Sequence, residues 1–162
     1  MIHDELKKSY HKLERLVLVL MIIALPIFGM IYLYFISGNL DWQLPNLPGF
    51  INGLLVGFSI GILIAQYVKF HQAIKKGKAS EELTKKVETY IQSTRVRFYF
   101  LFLSSVISAV GLLFFKSEVY VVLFAVTLVF FSLAKPTPDR IRRLYGLNKA
   151  DSELVRLMSR PD

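Results

Sequence analysis

An all-α, polytopic integral membrane protein, with four transmembrane helices and short amphipathic helices on one side, is the fold class this sequence predicts. Three observations predict it. The chain is 54% hydrophobic and has a mean hydropathy of +0.46, too apolar for an ordinary soluble domain of 162 residues. Four apolar stretches, about 16–37, 49–68, 98–115 and 119–134, carry no Asp, Glu, Lys or Arg. Four basic residues precede the first stretch, eight fall in 69–97 and seven follow from Lys135, whereas the two other connections hold Lys116 alone. Because loop lysines and arginines mark the cytoplasmic side, this bias places both termini and the central loop in the cytoplasm of an inner membrane. It also accounts for the net charge of +8 without a nucleic-acid partner.

Residues 1–15, MIHDELKKSYHKLER, form a cytoplasmic lead-in, amphipathic because Leu6, Tyr10, Leu13 and Val17 recur at helical spacing. The first span then follows over 16–37, roughly 33 Å of helix against a hydrocarbon core of about 30 Å. Pro26 removes one backbone donor inside it. Its apolar length, with no small-residue cleavage site after it, argues against a signal peptide. The stretch 37–48 carries turn formers, two prolines, one acid and no basic residue, as an external loop should, and Trp42 there suits an interfacial anchor. The second span runs over 49–68 and its helix continues toward Gly77. In the central loop Ser80 is the expected N-cap of the next helix, with Glu81 and Glu82 in its first turn. That helix feeds the third span, 98–115, and 116–118 suffices only for a tight turn into the fourth, 119–134. Thr137 as N-cap, Pro138 at the first helical position and Gly146 past the end outline a short tail helix, and a second begins near Asp151 or Ser152. The transmembrane domain is thus 16–135 and the basic cytoplasmic tail 136–162.

The second span holds Gly49, Gly53, Gly57, Gly61 and Ala65 four residues apart. Each step of four turns the row by roughly 40°, so the central glycines share one face that another helix can approach closely. The third span bears small residues at Ser104, Ser105, Ser108, Ala109 and Gly111, of which Ser104/Ser108 and Ser105/Ala109 are spaced by four. The expected pairing is between these two faces within the chain, and self-association of copies competes with it. In the tail, Ile141, Leu144, Leu147, Leu154, Val155 and Met158 are too many apolar groups for a disordered end and too few for a core of their own. They require a surface, with Arg140, Arg142 and Arg143 set to reach anionic lipid phosphates or an acidic partner.

Chemistry is mostly absent. With no cysteine there is no thiolate metal site, iron–sulfur cluster or cysteine nucleophile. An ion-coupled transporter needs an ionisable group within the bilayer, and LVLVLMIIALPIFGMIYLYF lacks the membrane glutamate of small tetraspan drug exporters of the multidrug-resistance type. His11 and His71, both just inside the cytoplasmic boundary, would need further ligands to hold a haem or a metal. No metal or cofactor is expected. Nor does any nucleophile-base or phosphate-cradling motif appear, so no enzyme is expected either. What remains is a non-catalytic accessory or scaffold subunit of a membrane assembly, packing through its glycine face. Its partners would be the lipid bilayer, anionic lipids among it, and other membrane subunits or itself. The alternative is a small homo-oligomeric channel or uncoupled transporter.

Overall fold

The computed structural model describes residues 2–161, and all regular structure among them is helical. Six helices follow in order: α1 (Ile2–Ile36), α2 (Gly49–Lys78), α3 (Leu83–Phe115), α4 (Glu118–Ala134), α5 (Pro138–Tyr145) and α6 (Lys149–Met158). The lead-in and the first apolar stretch are one continuous helix, because the row Leu6, Tyr10, Leu13, Val17 and Leu20 keeps a single buried face across the change from polar to apolar composition. Three of these helices, α1, α2 and α3, are long and apolar enough to cross a membrane. α4 has 17 residues, about 26 Å of helix, close to the lower limit for a span. It meets α5 at 83°, so the tail turns across the end of the bundle.

The bundle is organised around α3. It packs against α1, α2 and α4, whereas α1 and α2 hardly touch. Adjacent helices run antiparallel, as three pairs show: Gln66 with Arg97 and Ser59 with Ser104 between α2 and α3, and Phe98 with Phe131 between α3 and α4. Phe28 of α1 stacks on Phe124 of α4 with ring centroids 3.7 Å apart, closing the side that α2 leaves open.

The outward faces define where the bundle meets its solvent. Leu18, Ile22 and Leu33 on α1, Leu54 and Ile64 on α2, Leu103 and Val106 on α3, and Val122 and Val129 on α4 are all exposed. A belt of that extent exceeds what water tolerates on a monomer. The apolar helices are compatible with a multi-pass membrane protein. Beyond the belt at the end holding the N-terminus, the ends of α1, α2 and α3 form a second packed region. Leu13, Phe70, Ile74, Val87, Tyr90, Ile141 and Val155 are buried there.

The caps explain the ends. Thr137 accepts from the Arg140 N–H at 3.3 Å, Pro138 occupies the first turn and Gly146 closes α5 at φ 60°. α6 starts earlier than the expected Asp151 or Ser152, since Asn148 accepts from the Asp151 N–H at 2.7 Å and sets the first turn at Lys149. Ser80 is not an N-cap. Its N–H donates to the Gly77 carbonyl at 3.2 Å, so it finishes α2, and α3 begins at Leu83 without a side-chain cap.

Candidate functional site

The expected seam between the glycine row and α3 is not formed. A Cβ built on Gly49, Gly53, Gly57 or Gly61 meets nothing within 4 Å, and Gly53, Gly57 and Gly61 are exposed with Ala65 half-buried. α2 turns a different face to α3: Ser59, Ile62, Leu63, Gln66 and Phe70 are the buried residues. Ser59 stands about 200° around the helix from Gly57, on its opposite side. The choice follows from what each face would leave in lipid. Outward-facing glycines strand no polar group, because helical backbone is already satisfied, whereas an outward Ser59 or Gln66 would lack partners in hydrocarbon.

Ser104, Ser108 and Ala109 of α3 are buried, facing Ser59 and α4 instead of glycine. Ser59 Oγ lies 3.1 Å from Ser104 Oγ, which lies 3.0 Å from Thr127 Oγ1 on α4. Thr127 donates to the Leu123 carbonyl at 2.8 Å. With one proton per hydroxyl, Ser104 must then donate to Thr127 and Ser59 to Ser104. Three helices are joined by one directed chain, each bond contributing about 0.6 kcal/mol in this setting. Ser108 bonds back to the Ser104 carbonyl at 2.9 Å.

The glycine that close packing does require is Gly111 on α3. Any Cβ there would overlap the ring of Tyr120, which lies over it from α4 and reaches across to α2, donating to Asn52 Oδ1 at 2.5 Å. Sequence reading places Gly111 among the small residues of the third span, but only its isolation from a four-spaced row set it aside. Asn52 holds α4 through this bond.

At the basic end, Ile141, Tyr145, Val155 and Met158 are buried against the helix ends, while Leu154 and Leu157 stay exposed. The tail therefore docks on the bundle. Tyr145 presses on Gly77, where a Cβ would stand 2.8 Å from its hydroxyl oxygen. Burial, with a smaller contribution from Tyr90, pushes the Tyr145 phenol up to about 12. Arg142 and Arg143 are exposed on the outer side of α5, and Arg140 is half-buried.

Arg97, one residue before the third apolar stretch, is 3% exposed. Its Nε donates to Gln66 Oε1 at 2.7 Å, and its guanidinium lies 4.6 Å from the centroid of the Phe70 ring. Gln66, near the end of the second apolar stretch, is 1% exposed. Spacing within one helix could not reveal this pairing, because the two residues are 31 positions apart. Arg97 and Gln66 line a crevice of about 280 Å³ between α2 and α3, with Lys69 and Phe100 also on its walls.

His11 Nδ1 is 3.2 Å from Glu14 Oε2, and His71 Nδ1 is 2.9 Å from the Tyr67 carbonyl oxygen on an exposed face. Among the described residues no group of three metal-ligating side chains comes together. Comparison with protein-family models, curated proteins and solved structures finds no match to this chain.

Proposed function

We propose that the chain is a non-catalytic accessory or scaffold subunit of a membrane assembly, receiving a helix of another subunit or of a second copy on the glycine face of α2. In this reading it spans a bacterial inner membrane four times with both termini in the cytoplasm, α4 being the fourth span. The observation that supports it is the open row Gly49, Gly53, Gly57 and Gly61, where added side chains would meet nothing. In lipid the hydrophobic effect does not drive helices together, and association draws on close backbone approach, which such a row permits and a leucine-covered face does not. The exposed Arg142 and Arg143 then lie at the level of anionic headgroups.

The absence of cysteine makes the test clean. With a thiol-reactive crosslinker applied to membranes, Gly57→Cys and Gly61→Cys should give an adduct of discrete mass, whereas Val122→Cys, exposed on α4, should stay monomeric. The adduct's mass separates a second copy from a different subunit. Monomer at all three positions would refute the reading. Orientation is tested separately: cysteines at Asn39 and Ser117 should react with an impermeant reagent in intact cells, and those at Ser80 and Ser152 should not. Labelling at Ser80 would invert the topology.

A further inference from the structure

A buried guanidinium is costly unless its charge and its N–H groups are met, and one left unpaired calls for an explanation such as a bound ion. Arg97 is in that position. Of its donors Nε is satisfied by Gln66, but Nη1 is buried without a hydrogen-bond partner among the described residues. Among the described residues no carboxylate acts on it: the charged or titratable groups that do are Arg140, Tyr90 and Tyr67. Arg140 repels it.

The neighbouring amide is oriented by the same bond. Because Gln66 Oε1 accepts from Arg97, its Nε2 is the end left to donate, and that nitrogen too is buried with no partner among the described residues. Two side chains at least nine-tenths buried, each with an unpartnered donor, thus line one crevice. A second cation stands on its wall, Lys69, whose Nζ is 5.2 Å from the centroid of the Phe100 ring. The lining offers donors and positive charge and no acid. Ser93 does not compete, as its hydroxyl is turned to the Thr89 carbonyl at 2.6 Å.

We infer that this crevice between α2 and α3 is a binding site for a phosphate-class oxyanion, held by Arg97 and the Gln66 amide with Lys69 as the third contact and second positive charge. The chemistry fits an oxyanion because arginine presents several N–H groups in a planar fork that matches phosphate oxygens, and such charge-assisted bonds are the strong ones. Position favours a phospholipid headgroup as the source. Val96 and Tyr99 on the outside of α3 are exposed apolar groups beside the crevice, where the apolar belt gives way to the basic end, and Phe100 offers acyl chains an apolar wall. A soluble phosphate ion would satisfy the same donors. The site is distinct from the glycine face and does not depend on it.

The experiment uses the full-length protein purified in a neutral detergent. Native mass spectrometry measures retention of added phosphatidylglycerol against phosphatidylcholine, and thermal melting is followed with inorganic phosphate against chloride at equal ionic strength. Wild type should retain phosphatidylglycerol preferentially. Arg97→Gln and Lys69→Gln should each weaken that preference roughly tenfold, the loss of one charge-assisted contact, with Arg97→Lys between them and wild type. Lys116→Gln, exposed at the opposite end of the bundle, should leave it unchanged. If Arg97→Gln does not fold, Lys69→Gln and Arg97→Lys carry the test. A rise in melting temperature with phosphate that Lys69→Gln and Arg97→Lys reduce, without lipid preference, would assign the site to a soluble anion. The inference is overturned if folded wild type shows neither effect, or if the preference is lost only on neutralising Arg142 and Arg143.

Discussion

Gly111→Val is expected to unfold the bundle, and Gly57→Leu to leave its melting temperature unchanged. At Gly111 even a methyl group would overlap the Tyr120 ring, and relief requires moving either α4 or that ring. Moving the ring breaks its bond to Asn52, which ties α2 to α4. Overpacking costs about 1–3 kcal/mol and the lost bond about 1 more, a large part of a marginal stability. At Gly57 a leucine enters space left open by the rest of the chain and so adds no overlap within the bundle. Melting of the purified variants in detergent decides the matter, with Tyr120→Phe as an intermediate that loses the hydrogen bond alone. Equal effects at Gly111 and Gly57 would mean that the helices are packed the other way round.

Gln66→Leu is the second substitution with a large expected effect. It removes the acceptor that holds Arg97 Nε and leaves a buried cation over the Phe70 ring without that hydrogen bond. Hydrogen bonds to charged groups are worth about 1.5–3 kcal/mol. The double variant Gln66→Leu with Arg97→Met should recover most of that loss, since replacing both members of a buried polar pair by apolar groups of similar volume is often neutral. Denaturant titration in anion-free detergent reads both changes. If the double variant is no more stable than Gln66→Leu alone, the unpaired charge is not the source of the cost.

These two sites mark the limit of what one chain of letters carries. The helical fold was legible because its signals are local: uninterrupted apolar stretches, and the Thr137, Pro138 and Gly146 punctuation that brackets α5 as expected. Ser80 misled because Ser followed by two acids suits a cap, but a turn closing on Gly77 competes for the same residue, and the short connection to Leu83 decided in its favour. The glycine row misled differently. α2 has two faces a neighbour could use, small residues on one and Ser59 with Gln66 on the other, and spacing within the helix ranks neither. The ranking comes from α3 and α4, whose Ser104, Thr127 and Arg97 supply partners to the polar face. Long-range pairing of this kind leaves no local periodicity to find.

The central place of α3 also sets an order on how the molecule can be made. A membrane protein enters the bilayer from its N-terminus, and α1 and α2, the first two long helices to emerge, hardly touch. Until the third helix arrives, Ser59 and Gln66 have no mates and the nascent pair has nothing to hold it together. Residues 83–115 then act as a keystone, converting separately inserted helices into a bundle in a single late step. A chain stopped at residue 82 would be inserted but unassembled, the form that membrane quality-control proteases are built to remove.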